Sequence, residues 1–278
     1  MRLYDYLERI GLEHSGNGAL QGSIDTLLRI HAAHRETFLF ENVAIQAGGA
    51  VSVALHDIER KFLDERQGGY CFEHNTLLGA LRDLGFDVTT LLGRVRRGPP
   101  DRWCRTHMVL RVMIGDEPWL ADVGFGALCL LEPIPLRDGA RAQQVGLRYS
   151  VRREGHLWIL SCTGLELGSD SEPLSGSRAD SVDLYEFSEE PQTAGDVEVA
   201  NHYTSTHPDS VFRRTLTIQR TTRADRTMLR HGVLTRFRDG RSEEEPVDRT
   251  QLEAVVRDVF GVELPSGPFV FETYTIAT

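Results

Sequence analysis

Residues 66–75 read RQGGYCFEHN, and the placement of Cys71 in this stretch decides how the rest of the chain is interpreted. The leucines that follow keep helical spacing up to Gly85, which predicts a helix that begins near Cys71. Unpaired N–H groups at a helix start can lower the pKa of a thiol, and Gly68 and Gly69 would let the chain turn tightly and another molecule approach the sulfur. The stretch alone predicts either a nucleophilic thiolate or a small buried cysteine.

The periodicity of the chain changes on the C-terminal side of this helix, at Asp87. Before it, the segments LYDYLERI, IDTLLRIHAAHRETF with Ser23 as its cap, and LHDIERKFLDER all have helical spacing. After it, DVTTLLGRV, HMVLRVMI, PWLADVGF, LRYSVRRE and HLWILSC are short runs rich in β-branched and aromatic residues, separated by turn formers such as RRGPPD and IGDEP. A helical first part is therefore followed by a sheet or barrel.

The last third of the sequence is mixed. Residues 165–180 are rich in glycine, serine and acid, which predicts an exposed loop or linker. VFRRTLTIQRTT and TMLRHGVLTRFRDG are typical of strands, and TQLEAVVRDVFG predicts a short amphipathic helix ended by Gly261. We expect a mixed α/β cap after the sheet.

Composition and charge exclude several classes of function. The chain has 278 residues and a net charge of −10, which disfavours nucleic acid and anionic membrane surfaces as partners. It has no apolar run near the length of a membrane span, and its charged N-terminus does not resemble a secretory signal. The four cysteines form no C-x-x-C pair, which favours free thiols. We expect a soluble, cytoplasmic protein without a metal.

A nucleophilic Cys71 would need a base and a group that orients the base. His107 begins a predicted strand and Asp122 ends the next one, and the IGDEP turn would join the two strands as antiparallel neighbours. We therefore expect His107 and Asp122 to be adjacent. Five other histidines compete as bases, and a Cys104 and His107 metal pair lacks a matching second pair nearby. The competing histidines are His31, His34, His74, His202 and His207.

These stretches together resemble the arylamine N-acetyltransferases. The family hallmark R-G-G-x-C-x-E is matched from the glycines onward by QGGYCFEHN. The landmarks FEN at 40–42, THMVL around His107, ADVGFG around Asp122 and NHYTSTHPDSVF at 201–212 follow in the family's order. The resemblance covers residues 1 to about 260.

The resemblance implies an α+β fold with a helical bundle, a central β-barrel and a C-terminal α/β lid. Combined with the change in periodicity, it places these domains at 1–86, 87–190 and 191–278. It implies a Cys71, His107 and Asp122 triad that moves an acetyl group from acetyl-CoA, by a ping-pong mechanism through an acetyl-cysteine, to an arylamine, hydrazine or N-hydroxyarylamine. A monomer and a homodimer are both open.

The resemblance also implies binding residues for both substrates. By resemblance, the acceptor pocket is lined by Phe40, Val95 and Phe125, and the CoA cleft is bordered by Thr106, Gly126 and Tyr203. For the acceptor residues, plain core packing is the alternative.

Three positions depart from the family pattern. Gln67 replaces the hallmark arginine, for which the adjacent Arg66 could substitute. Arg97 stands where some members have an aromatic residue, and His202 where many bacterial members have tryptophan. We expect CoA fit and acceptor choice to differ here from those of typical members.

Three other interpretations stay open. Related amide synthases use the same triad on a carrier-protein thioester to release a polyketide as a macrolactam. A cysteine hydrolase of the papain or transglutaminase kind would use the triad with water as the acceptor. A binding protein that kept the fold without catalysis is the third.

Overall fold

The structure is a computed structural model that describes residues 1–12, 22–164, 181–238, 241–266 and 269. The predicted loop at 165–180 lies outside the described residues. Eight α-helices are found in the described part of the chain: α1 Leu3–Arg9, α2 Ile24–Thr37, α3 Val43–Gln46, α4 Leu55–Glu59, α5 Cys71–Leu78, α6 Ala194–Thr206, α7 Val211–Arg214 and α8 Leu252–Val255. A π-helical turn extends α4 through Arg60–Asp64 and another extends α8 through Val256–Phe260, while Gly79–Leu84 continues α5 as a 3₁₀ helix.

The predicted helix signals in the first part of the chain are confirmed. Ser23 accepts a hydrogen bond from the Thr26 N–H at 3.3 Å, which satisfies one of the unpaired donors at the start of α2. Gly85 ends the helix that begins at Cys71, with the positive φ of +82° that favours glycine. These helices share one hydrophobic core, which includes Cys71 itself.

An antiparallel sheet of eight strands forms the central barrel. Its strands lie in the order β5-β4-β3-β2-β9-β8-β7-β6. The bounds are β2 Asp87–Val95, β3 Arg105–Ile114, β4 Glu117–Ala121, β5 Ile134–Pro135, β6 Arg141–Gln144, β7 Leu147–Glu154, β8 Leu157–Thr163 and β9 Ser181–Phe187. Backbone hydrogen bonds connect the two edges of this sheet. The Leu136 N–H donates to the Pro118 carbonyl on β4, the Gly139 N–H donates to the Val151 carbonyl on β7, and the Val151 N–H donates to the Ala140 carbonyl, so the barrel is nearly closed.

A second sheet joins the lid to the helical part. Its order is β1-β10-β11-β12-β13, with bounds β1 Phe40–Glu41, β10 Thr217–Thr221, β11 Asp225–Arg230, β12 Val233–Arg238 and β13 Arg241–Pro246. Strand β1 comes from the helical part and pairs antiparallel with β10. The short strand carrying Phe40 thus fixes the lid against the residues that precede Cys71.

The fold class is confirmed, and the element predictions are confirmed with one correction. The first residues of VFRRTLTIQRTT form helix α7 instead of a strand, because the Ser210 hydroxyl accepts from the Phe212 N–H and starts a turn there. The sequence interpretation also missed two helices and five strands: α3, α6, β1, β5, β6, β9 and β13. The division at 1–86, 87–190 and 191–278 stays a prediction.

Candidate active site

The two glycines before Cys71 serve close backbone approach. Neither has a positive φ, so the predicted tight turn is not why glycine is needed. A Cβ on Gly68 would overlap the Leu39 carbonyl, and a Cβ on Gly69 would lie 2.5 Å from the Glu73 carboxylate. The Glu41 N–H donates to the Gly69 carbonyl at 2.8 Å. The glycines therefore let the stretch lie directly against β1.

A buried ion cluster holds the same turn. Lys61, the only lysine among 278 residues, places its Nζ 2.7 Å from Glu73 Oε1 and 3.7 Å from Glu41 Oε1. The second oxygen of Glu73 accepts from the Tyr70 N–H at 3.1 Å, just before α5 begins. Burial opposes the charge of Lys61, but the two glutamates raise its pKa above the ordinary value. A permanent cation thus secures the start of the cysteine helix.

The Cys71 thiol is buried at the first position of α5. Its side chain lies 3.8 Å from the carbonyl oxygen of Thr106, the residue before His107. Burial raises the pKa of the thiol, although backbone N–H groups of Met108 and Phe72 act in the opposite direction. The predicted lowering of the pKa by the helix start alone is therefore wrong, because loss of solvent outweighs those donors. A thiolate here needs a partner that takes the proton.

His107 and Asp122 are adjacent, as predicted from the hairpin. Strands β3 and β4 pair with Leu110 opposite Ala121, which brings the residues beyond that pair together. His107 Nε2 lies 2.8 Å from Asp122 Oδ2, and both side chains are buried. An ionised Asp122 accepts the proton on Nε2, so Nδ1 of the neutral ring is the nitrogen that can accept another.

Asp122 has three donors that keep it ionised. Besides His107, Asn75 Nδ2 donates to its Oδ1 at 3.1 Å, and the Gly124 N–H donates to the same oxygen at 2.8 Å. Burial alone would raise the pKa of this carboxyl, but His107 and these donors lower it to about 2. The carboxylate is therefore charged at neutral pH.

Asn75 links the elements that carry all three predicted triad residues, and the sequence interpretation missed it. It lies one helical turn after Cys71. Its Nδ2 also donates to the Met108 carbonyl at 2.7 Å, and its Oδ1 accepts from the Val123 N–H at 3.1 Å. The only signal in the sequence was a polar residue four positions from the cysteine on a helix.

Gly124 allows the Asp122 segment to approach the cysteine helix. A Cβ on Gly124 would lie 2.6 Å from Cys71 Cα and 2.6 Å from Asn75 Nδ2. No side chain fits there without moving the backbone of α5. The structure thus brings the Cys71 helix, the His107 strand and the Asp122 segment together around one small volume.

Two competing histidines are used in a buried hydrogen-bond chain. His74 Nε2 donates to the Leu39 carbonyl at 3.0 Å, so its Nδ1 accepts from His34 Nε2 at 2.9 Å, and His34 Nδ1 accepts from the Tyr6 hydroxyl at 3.0 Å. Burial lowers the pKa of His74 to about 3 and that of His34 well below its ordinary value. Both rings are neutral and all four of their ring nitrogens are occupied.

A third competing histidine, His31, supports Asp122 from behind. Its Nδ1 donates to the Leu131 carbonyl at 2.8 Å, so its Nε2 accepts from the Asp122 N–H at 3.1 Å. Burial lowers its pKa to about 4. His202 is exposed on α6, and His207 stacks on Tyr203 at 4.4 Å between ring centres.

The residues predicted to line the acceptor pocket fall in two places. The ring of Phe125 lies 4.9 Å from that of His107, and Val95 packs against the same barrel core as Phe125. Phe40 is buried in the helical core, where it packs against His74 and Phe212. Phe125 and Val95 thus pack against the barrel core and Phe40 belongs to the helical core that also contains Cys71, and their roles in acceptor binding stay predictions.

The residues predicted to border the CoA cleft come from three different elements. Thr106 is half-buried and its carbonyl faces Cys71. Gly126 has a φ of +72° and lies against the Gln219 side chain of β10, where the next N–H, that of Ala127, donates to that side chain. Tyr203 is half-buried on α6. Their roles in binding stay predictions.

The three departures from the family pattern have different surroundings. Gln67 and Arg66 are both exposed, and the cation that pairs with the buried Glu73 in this turn is Lys61. Arg97 lies near His231, whose pKa is lowered by burial and by the nearby charges of Arg230 and Arg97. His202 faces solvent on α6.

Two general features of the described residues bear on function. They contain no group of three or more histidine, cysteine, aspartate or glutamate side chains that could hold a metal ion. Within the same ranges, no helix is both long and apolar enough to cross a bilayer.

A Cys, His and Asp set that spans a helical bundle and a barrel defines a class of cysteine-dependent transferases and hydrolases. Comparison with known proteins narrows this class. The N-acetyltransferase family model matches residues 23–269. The arylamine N-acetyltransferase of Mycolicibacterium smegmatis is 36% identical over 95% of this chain and 93% of its own length, and that of Escherichia coli is 31% identical over 88% and 85%.

Solved structures agree with these sequence matches. A structure of the M. smegmatis enzyme superposes with a TM-score of 0.83, at 35% identity over 95% of this chain and 93% of that one. The Mycobacterium marinum arylamine N-acetyltransferase in complex with CoA has a TM-score of 0.81, at 30% identity over 94% and 92%. The chain belongs to the arylamine N-acetyltransferase family.

Proposed function

We propose that this protein transfers an acetyl group from acetyl-CoA to an arylamine, hydrazine or N-hydroxyarylamine through an acetyl-Cys71 intermediate. Its membership of the family supports acetyl transfer, and the M. marinum relative binds CoA. The observation that supports the mechanism is the 2.8 Å hydrogen bond between His107 and Asp122. It lies close to Cys71, because the carbonyl of Thr106, the residue before His107, is 3.8 Å from the Cys71 sulfur.

In the first half-reaction, His107 Nδ1 takes the thiol proton and the Cys71 sulfur attacks the thioester carbonyl carbon. Because burial raises the pKa of the thiol, this transfer to His107 is required. The C–S bond to CoA then breaks, and the CoA thiolate takes the proton back from the imidazolium. Asp122 stabilises the imidazolium and fixes its tautomer. Backbone N–H groups near Cys71 are candidates for holding the oxyanion.

In the second half-reaction, the amine nitrogen attacks the acetyl carbon on Cys71 and loses its proton to His107. The C–S bond to Cys71 breaks, and the thiolate is neutralised by the imidazolium. Val95 and Phe125 would present an apolar surface to the aromatic part of the acceptor, beside the His107 ring. Phe40, buried in the helical core, would act through packing.

Intact-mass spectrometry after mixing with acetyl-CoA tests the intermediate. We expect one added acetyl group on the native chain and none on Cys71→Ala. Cys104→Ser is the matched control, because Cys104 is the exposed thiol and should not be needed. Lys61, paired with two glutamates, is the only lysine side chain that could be acetylated instead.

Other results would redirect the proposal. An acetyl group on Cys71→Ala would refute Cys71 as the nucleophile. A native chain that ignores acetyl-CoA but reacts with a longer acyl thioester would favour the amide synthase interpretation. An acetyl group lost rapidly to water without an amine would favour a hydrolase. The cytoplasmic location and the homodimer stay predictions.

A further inference from the structure

Arg35 is a buried arginine that the proposed mechanism does not use. It lies on α2, one turn after His31, and its side chain is 1% exposed. Its Nη1 donates to the Val123 carbonyl at 3.1 Å, and its Nη2 donates to the Gly126 carbonyl at 3.0 Å and to Thr221 Oγ1 at 2.9 Å. One guanidinium therefore joins the helical part, the segment after Asp122 and the lid.

The partners of Arg35 are all neutral. In the described part of the chain, no carboxylate lies within 4.0 Å of its guanidinium, and its buried Nε has no hydrogen-bond partner there. Burying a cation without an anion nearby is strongly unfavourable. Two carbonyls and a hydroxyl could be satisfied by a neutral donor, so the charge itself calls for an explanation.

Asp122 is the buried carboxylate that complements this charge. Among the other buried acids of the described residues, Glu41 and Glu73 pair with Lys61, Asp183 and Glu186 pair with Arg96, and Glu59 accepts from the Arg2 backbone N–H. Asp122 instead hydrogen-bonds to His107, which is not a permanent cation.

Arg35 and Asp122 act on the same histidine with opposite sign. Burial lowers the pKa of His31, Asp122 raises it, and Arg35 lowers it. The geometry agrees, since His31 Nε2 accepts from the Asp122 N–H and Arg35 follows His31 by one turn of α2. His31 and Arg35, four residues apart on α2, also bind consecutive backbone groups, the Asp122 N–H and the Val123 carbonyl.

We propose that Arg35 is a positioning residue for acetyl transfer: it holds the segment from Asp122 to Gly126 in place and supplies the buried positive charge that balances the Asp122 carboxylate. In the resting site the charges of Asp122 and Arg35 cancel. They still cancel when the proton moves from Cys71 to His107, since that step creates one charge of each sign. The catalytic consequence rests on the proposed function, whereas the charge balance does not.

A double-mutant cycle on stability tests the charge balance without any assay of activity. We expect Arg35→Gln to lower the urea midpoint of unfolding strongly in the native background and much less beside Asp122→Asn. Arg226→Gln is the matched control. Arg226 is also buried and donates to neutral groups, the Val145 carbonyl and the Tyr149 hydroxyl, and among the described residues it makes no hydrogen bond to the segment from Asp122 to Gly126. Its effect should be equal in both backgrounds.

Rescue by a second cation separates charge from shape. Arg35→Lys should fold and should form acetyl-Cys71 at least tenfold faster than Arg35→Gln, because it keeps the charge that Asp122 requires. Equal effects of Arg35→Gln in the two backgrounds, or a Lys variant no better than the Gln variant, would overturn the proposal. If Arg35→Gln fails to fold in both backgrounds, the Arg35→Lys variant decides the question. An Arg35→Lys chain that does not fold overturns the proposal, and one that folds supports it.

Discussion

His74 and His107 are both buried near Cys71, but their ring nitrogens have different hydrogen-bond partners. His74 lies three residues from the cysteine on α5, where His34 and the Leu39 carbonyl occupy its ring nitrogens. His107 comes from a distant strand and hydrogen-bonds to the ionised Asp122. Burial and the charge of Arg35 lower the pKa of His74 to about 3. The partner of a histidine, and not its distance along the chain, decides whether it can act as a base.

Replacing each histidine in turn tests this comparison directly, and His107→Gln has the largest expected effect. We expect His107→Gln to reduce the rate of acetyl-Cys71 formation about 10⁵-fold, because the thiol loses its proton acceptor. His74→Gln should retain the rate within about tenfold and act mainly on stability, since its ring is part of a structural hydrogen-bond chain. Rapid mixing with acetyl-CoA followed by acid quench and mass spectrometry measures both. Similar losses in the two variants would contradict the assignment of the base.

The neutrality of the buried histidines should appear as a pH dependence of stability. The folded pKa is about 4 for His31 and about 3 for His74, below the ordinary value of 6.5. The unfolded chain therefore binds more protons than the folded chain from about pH 6.5 downward, and stability is lost as the pH falls until the folded values are reached. Each such histidine should reduce the free energy of unfolding by about 1.4 kcal/mol per pH unit in that window.

Urea titrations at several values of pH between 4.5 and 8 measure this slope. His74→Gln should make it shallower by the contribution of one group. His156→Gln is the control, because His156 is exposed in a turn and its removal should leave the slope as it is. A native chain whose stability does not change between pH 6.5 and 4.5 would show that the histidines are not held neutral.

Asn75 sharpens the comparison, because it ties the helix of His74 to the partners of His107. Asn75→Ala leaves the Met108 carbonyl and the Val123 N–H buried without their hydrogen bonds and removes a donor from Asp122. We expect a loss of about 3 kcal/mol in the free energy of unfolding. Thr76→Val is the control, since among the described residues the neighbouring hydroxyl hydrogen-bonds only to the Met108 sulfur, at 3.8 Å. Equal losses in the two variants would refute this role.

Local patterns in the sequence were enough to propose the triad candidates, and the family resemblance was needed to prefer them over a buried cysteine and the competing histidines. Cys71 lay at a helix start, and His107 and Asp122 lay at the ends of two strands joined by a short turn. Asn75, His31 and Arg35 could not be recognised in this way. Their partners are mostly backbone groups of residues 108 and 122–126, between 33 and 91 positions away in the chain.

Burial was the other property that sequence patterns did not reveal. A helix start predicted a lowered pKa for the Cys71 thiol, but the fold encloses the sulfur and raises it. Phe40, which the family pattern assigns to the acceptor pocket, is buried beside His74, and its role in acceptor binding stays a prediction. Whether a side chain lines a pocket or packs in a core depends on contacts between distant segments.

The smallest expected effect concerns Lys61, whose charge lies between Glu41 of β1 and Glu73 of α5. The chain uses arginine at every basic position except Lys61, whose compact ammonium fits between Glu41 and Glu73 and whose charge helps to keep His74 neutral. Lys61→Arg keeps the charge but must place a larger planar group in the same space, so we expect a loss of about 1 kcal/mol in the free energy of unfolding. Arg60→Lys, at the exposed neighbour, should change it by less than about 0.5 kcal/mol. A Lys61→Arg chain as stable as the native one would mean that charge alone matters at this turn, and that the ammonium shape does not contribute to the surroundings of His74.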